Sequence, residues 1–189
     1  MLSPRLPFHT RYIFASFAAA SLILISSCQS IHDKKEITVE ILHTNDMHSH
    51  FAGSKNGSAC ITESYCEGGY GRVAEYVKEV KERNPNAIFL DAGDQFQGSL
   101  LYVNYHSPLV GKITDKMRYD FATFGNHEFD EGCKALSDYA KNADFPFLAV
   151  NLKPAPGCPL SKNNIAPFTV IDRPDAKIGI IGLANPDVV

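Results

Sequence analysis

The sequence predicts an α/β domain with central, mostly parallel strands. Strand-like and helix-like segments alternate along the chain from residue 37 onward. Three consecutive strand-like segments each end in a cluster of carboxylate, imidazole or amide side chains. The composition, 44% hydrophobic and 21% charged, is that of an ordinary globular chain, and 189 residues are enough to build a core.

The elements follow in order. Ile37 to Leu42 alternates apolar and polar residues, as a half-buried strand does. Residues 52–70 are rich in glycine and predict a loop. A helix is expected from about Gly71 to Arg83, with Val73, Tyr76, Val77 and Val80 on one apolar face and Asn84-Pro85 as its stop. Ala87 to Leu90 is a short buried strand, Pro108 to Met117 a second helix with Leu109, Val110, Ile113 and Met117 inward, and Phe121 to Phe124 a third strand. A third helix is expected over Cys133–Lys141 and a strand over Phe147–Val150. Two closely spaced strands, Pro167–Ile171 and Lys177–Ile181, suit an antiparallel pair. No internal domain boundary is visible, and the chain stops at Val189 like an unfinished domain.

The first residues follow different rules. Residues 1–27 hold Arg5 and Arg11 and no acid, and an apolar run from Tyr12 to Ile25 precedes Ser26-Ser27-Cys28. A basic start, a short apolar core and small residues before a break are the parts of a secretory signal. The run of about fourteen residues is short for a membrane span, which needs about twenty. Ile25-Ser26-Ser27-Cys28 resembles the lipobox of bacterial lipoproteins. That resemblance implies a signal peptide at 1–27, lipidation of Cys28, a tether over 28–36, and an exported protein anchored to a membrane through lipid. By resemblance to lipoprotein sorting, Gln29 after the cysteine favours the outer membrane over the inner, the expected location being the outer membrane or a periplasm-facing one. A plain signal peptide or an uncleaved anchor is the alternative. Loss of 1–27 moves the net charge from −3 to −5, so nothing marks a surface for a nucleic-acid polymer.

Four cysteines remain after Cys28: Cys60, Cys66, Cys133 and Cys158. Cys60 and Cys66 sit as C-x5-C in a polar segment and suit a small disulfide loop in an oxidising compartment. Zinc binding is the weaker alternative, because the spacing is not that of a zinc knuckle. Cys133 and Cys158 are the pair left over.

The chemistry lies at the strand ends. The first strand leads into His43-Thr44-Asn45-Asp46-Met47-His48-Ser49-His50, the second into Asp91-Ala92-Gly93-Asp94-Gln95, and the third into Gly125-Asn126-His127-Glu128-Phe129-Asp130. Ligands of open α/β sheets bind at that carboxyl edge. Aspartate, histidine and an asparagine oxygen suit divalent ions of the zinc, manganese or iron type. A carboxylate shared between two such ions suits phosphoryl displacement.

Asp46-x-His48, Gly93-Asp94 and Gly125-Asn126-His127-Glu128 resemble the successive motifs of the calcineurin-like metallophosphoesterases. The longer strings Ile41 to His48, Leu90 to Gly98 and Gly125 to Asp130 resemble the 5′-nucleotidases within them. The resemblance runs from about Ile37 to the end of the chain. It implies a layered sandwich around the central strands, of which 37–189 is the amino-terminal part. It implies two divalent metal ions: Asp46 and His48 on the first, Asp94 bridging both, and Asn126 on the second. It implies that His127 stabilises developing charge or protonates the leaving oxygen, and that Asp130 orients it. Members can also carry a small disulfide loop where Cys60 and Cys66 lie. The implied activity is nucleotide phosphate-ester hydrolysis outside the cytoplasm.

The sequence departs from the family in two respects. Two further histidines complete the second metal in the family, and no histidine follows His127 here. A separate carboxyl-terminal substrate domain is absent as well. The chain therefore resembles the front of a longer enzyme, weakly active or inactive by itself. Alternatives on the same core are a 2′,3′-cyclic-nucleotide phosphodiesterase with 3′-nucleotidase activity, a sulfur-ester hydrolase, and a truncated, non-catalytic metal-binding lipoprotein.

Several neighbours have ordinary explanations. His43 and His50 suit hydrogen-bonding roles, and His32 and His106 suit the surface. Asp91 suits a cap or brace of the turn after it, and Gln95 and Gln97 suit support of the loop. Arg72 is either a phosphate contact or a solvated side chain, and Asn151 either a site-water partner or a turn residue. Glu128 and Glu131 suit the start of the following helix.

Overall fold

The computed structural model describes residues 36–56, 58–60, 66–160 and 165–185. The expected leader at 1–27, Cys28, the tether up to residue 35, and His32 lie outside the described residues. By internal contacts the chain divides into residues 1–38 and 39–189, and the second unit carries the elements below.

Five strands form the central sheet: β1 (Ile41–Thr44), β4 (Ile88–Asp91), β5 (Phe121–Ala122), β6 (Phe147–Leu148) and β7 (Ile165–Ala166), in that spatial order and all parallel. Two hairpins stand beside it: β2 (Gly53–Lys55) with β3 (Ser58–Cys60), and β8 (Phe168–Asp172) with β9 (Lys177–Ile181), each antiparallel. The strands of the sheet add in chain order. Right-handed crossovers then place every connecting helix on one face. One core results, in which Phe89, Ala122, Phe124 and Phe147 of the sheet side meet Val77, Tyr102, Val110, Leu136 and Tyr139 of the helices. The opposite face, with His43, Leu90 and Phe121, meets the end of β9 across a cleft of about 230 Å³.

The helices are α1 (Tyr70–Arg83), α2 (Leu100–Thr114) and α3 (Gly132–Asn142). In α1, Tyr70, Val77 and Val80 are buried, whereas Tyr76, expected inward, is 57% exposed. It stands one position off the stripe formed by Val73, Val77 and Val80. The helix expected from Pro108 is the second half of α2. His106, at φ 53 and ψ −159, breaks α2, and Pro108 opens the second piece, where a missing N–H costs little. The first piece starts after Ser99, whose Oγ accepts the Tyr102 N–H at 3.1 Å. Its Leu100, Leu101, Val103 and Tyr105 are exposed, so no buried stripe announces it. β1 starts at Ile41 rather than Ile37, and the short strands β2, β3 and β7 were not expected. No helix among the described residues is long and apolar enough to cross a membrane.

Candidate metal centre

The parallel register aligns Thr44 with Asp91 and Asp91 with Ala122. The loops that follow β1, β4 and β5 therefore leave the sheet at one edge, and backbone bonds join them. Asp46 N–H donates to Gly93 O at 2.9 Å and His48 N–H to Asp94 O at 3.0 Å. The third loop joins through the N–H of His127, which donates to Asp94 Oδ1 at 2.9 Å.

Asp46, His48 and Asp94 each offer a ligand atom, and these atoms lie within 4.8 Å of one another. All three residues have left-handed backbones, at φ 52, 45 and 57. L-residues disfavour that conformation, and it concentrates where function demands a set geometry. His48 Nδ1 lies 2.9 Å from Phe96 O. A carbonyl only accepts, so Nδ1 carries the proton and Nε2 is left as the ligand atom, 3.9 Å from Asp46 Oδ1. Asn45 Nδ2 donates to the other Asp46 oxygen at 2.5 Å. Gly125 matters because a Cβ there would overlap the Asp94 carboxylate, and Gly93 (φ 94) because a Cβ there would overlap the Gly125 backbone. This donor set fits a divalent ion of the zinc, manganese or iron type.

Asn126 is half-buried at the same edge and opens the short turn His127–Phe129. His127 Nδ1 lies 2.7 Å from Asp130 Oδ2, which also accepts from Gln97 Nε2 at 2.8 Å. The bond to Asp130 holds the His127 pKa above its ordinary value, and the same bond holds Asp130 below its own. The rings of His48 and His127 meet edge to face with centroids 5.3 Å apart.

A buried polar layer supports the edge. Glu128, expected only to favour a helix start, is fully buried. Its carboxylate accepts four backbone N–H groups: Asp94 at 2.9 Å, Gln95 at 2.6 Å, Phe96 at 3.2 Å and Gly125 at 2.7 Å. It thereby clamps the second loop to the third. Asp91 braces the turn after it, accepting from Thr44 Oγ1 at 2.8 Å, Gln95 Nε2 at 2.7 Å and Gly93 N–H at 3.3 Å. Burial pushes its pKa up to about 8.

The remaining candidates stay off the ligand cluster. His50 Nδ1 is 3.3 Å from Met47 O, and His106 Nδ1 is 2.9 Å from Glu131 Oε1. Arg72 Nη1 donates to Gly68 O at 3.0 Å. Asn151 exchanges two hydrogen bonds with the backbone of Ala184, tying the segment after β6 to the segment after β9. Cys60 joins Cys66, with Cα atoms 5.9 Å apart, and Cys133 joins Cys158, at 5.6 Å.

A parallel α/β sheet that gathers carboxylates and an imidazole at its carboxyl edge, with a hydrogen-bonded His–Asp pair beside them, defines a phosphoesterase-type domain. The chain belongs to the calcineurin-like phosphoesterase family, whose pattern matches residues 39–173. It is 36% identical over 150 residues to the 5′-nucleotidase of Homo sapiens, covering 78% of this chain and 26% of that protein. The snake venom 5′-nucleotidase of Naja atra is 37% identical over 151 residues, covering 78% of this chain and 28% of that protein. Among solved structures, a 5′-nucleotidase precursor from Thermus thermophilus superposes with a TM-score of 0.67 at 34% identity, covering 80% of this chain and 29% of that one. The Haemophilus influenzae NAD nucleotidase superposes at 0.68 with 25% identity, covering 79% and 26%. The chain thus spans about a quarter of the length of these relatives.

Proposed function

We propose that this edge holds two divalent ions and hydrolyses phosphate monoesters of nucleotides, in the manner of a 5′-nucleotidase. One observation carries the proposal. Asp46, His48 and Asp94 bring ligand atoms within 4.8 Å on three left-handed backbones, inside a stretch that matches 5′-nucleotidases. Asp46 and His48 would hold the first ion, Asp94 would bridge, and Asn126 would serve the second. When bound, such ions would polarise the phosphoryl oxygens and ease loss of a proton to solvent from the water that attacks phosphorus.

The chain's own residues supply the rest. Phe96 O sets the His48 tautomer, so Nε2 needs no proton loss to act as a ligand. Asp130 holds His127 Nδ1 and leaves Nε2 to give its proton to the departing ester oxygen. The bond to Asp130 raises the His127 pKa and so favours the protonated ring. No histidine follows His127, so the proposal takes the remaining ligands of the second ion, and the grip on the nucleoside, from polypeptide outside these 189 residues. Export and lipid anchoring at Cys28 rest on the leader pattern, and the snake venom relatives are consistent with export.

Phosphate release from nucleoside 5′-monophosphates, measured on the full-length gene product with manganese or zinc, tests the proposal. Release that chelation abolishes supports it. A folded, metal-loaded protein that releases none overturns it.

A further inference from the structure

Gln95 makes no part of the ligand set, yet it touches every segment that does. It is fully buried. Its backbone N–H donates to Glu128, the residue after His127, at 2.6 Å. Its backbone carbonyl accepts from the hydroxyl of Ser49, the residue after His48, at 2.7 Å. Its side-chain Nε2 donates to Asp91 at the end of β4, at 2.7 Å, and its Oε1 accepts from the hydroxyl of Tyr70 at the start of α1. Gln95 is therefore the junction of all three strand-end loops and of the helix that follows the Cys60–Cys66 loop.

The loop it anchors does not hold its shape by torsional preference. Gly93, Asp94, Gln97 and Gly98 all have positive φ, at 94, 57, 69 and 83. Two of these four are not glycine, and a free loop of this sequence would relax toward right-handed torsions. Relaxation would turn the Asp94 carboxylate away from Asp46 and His48. A buried amide with both ends hydrogen-bonded resists it, because movement would leave polar groups unpaired in the core.

We propose that Gln95 is a positioning residue for metal binding, keeping Asp94 left-handed through its side-chain bonds to Tyr70 and Asp91. The inference rests on the metal-binding function proposed above. Gln95→Met keeps the length of the side chain and removes both side-chain bonds, while the backbone bonds to Glu128 and Ser49 remain. Residues that orient ligands from behind typically alter metal affinity by about 10–100-fold when removed.

The test is manganese titration of the whole chain, with thermal unfolding recorded for each protein. Ser137→Ala is the control. It removes a buried hydrogen bond on α3, Oγ to Pro159 O at 2.9 Å, without touching the edge. The expected result is a dissociation constant raised about tenfold or more by Gln95→Met and unchanged by Ser137→Ala. Thermal unfolding must show Gln95→Met fully folded at the titration temperature, so that its raised dissociation constant reports the site rather than a loss of folded protein. If Gln95→Met does not fold, Tyr70→Phe, which removes one hydroxyl donor, takes its place with a smaller rise expected. A folded Gln95→Met, or Tyr70→Phe in its place, that binds manganese like the wild type overturns the inference while the metal site stands. A wild-type chain that binds no manganese overturns the metal site and this inference together.

Discussion

The Oδ1 atom of Asp94 accepts the backbone N–H of His127 at 2.9 Å. One hydrogen bond thus sets the candidate bridging carboxylate against the candidate acid, across two loops 33 residues apart in sequence. The other Asp94 oxygen stays available to a ligand, and the His127 ring is held from the far side by Asp130.

Gly125 guards that carboxylate. Its own φ is not left-handed, so alanine is allowed there by torsion, but a Cβ would overlap the Asp94 side chain. Gly125→Ala should weaken manganese binding by about tenfold or more while the chain stays folded. Gly71→Ala, in α1 with open space around the new Cβ, should leave binding unchanged and stabilise by roughly 0.5–1 kcal/mol. Metal titration and chemical denaturation of the two variants separate these outcomes.

The His127–Asp130 pair predicts a titration. In the metal-free chain the folded His127 pKa lies above 6.5, chiefly through the Asp130 bond. Its imidazolium therefore persists to higher pH in the folded chain than in the unfolded one. The stability it lends is present below pH 6.5 and is lost as pH rises through the folded value. Asp130→Asn should bring the His127 midpoint down, read by proton NMR of the ring. An unmoved midpoint would contradict the pairing.

Asp91 predicts an opposite kind of carboxylate from the usual one. Burial raises its folded pKa from 3.8 to about 8. Between those values the folded state holds a proton that the unfolded state has lost, so its contribution to stability falls as pH rises through that window. The Asp91 contribution to the thermal midpoint should therefore decline from about pH 4 to about pH 8. Asp91→Asn, which cannot ionise, should flatten that decline. A wild-type and variant pair with parallel pH profiles would contradict it.

The Cys60–Cys66 bond closes a short loop just ahead of α1. Replacing both cysteines by serine should cost about 2 kcal/mol, as chain-entropy arguments give for a loop of this length. Cys66 is buried, so part of the loss should appear at the start of α1. Denaturant unfolding of the wild type and the variant without reductant measures it, because reductant would also open Cys133–Cys158.

The edge was legible in the sequence because its logic is local. Three short apolar runs each end in polar residues, and parallel strands must discharge them on one side. The layer beneath was not legible. Glu128 and Gln95 are polar residues in polar stretches, and only the tertiary register shows that one accepts four backbone amides and the other joins three loops. Helix periodicity identified α1 and α3 and the second half of α2. It failed for Leu100 to Tyr105, where Tyr102 is buried but Leu100, Leu101, Val103 and Tyr105 face outward, and it misplaced Tyr76 by a single position on the helix. The short strands β2, β3 and β7 carry too few residues for an alternation to show.

The central claim is that Asp46, His48 and Asp94 form a divalent-ion site. Manganese titration of the wild-type chain beside His48→Ala and Asp94→Asn tests it most directly. The account predicts saturable binding by the wild type and its loss, by about a hundredfold or more, in each variant. Equal binding by all three folded proteins, or none by the wild type, would contradict it.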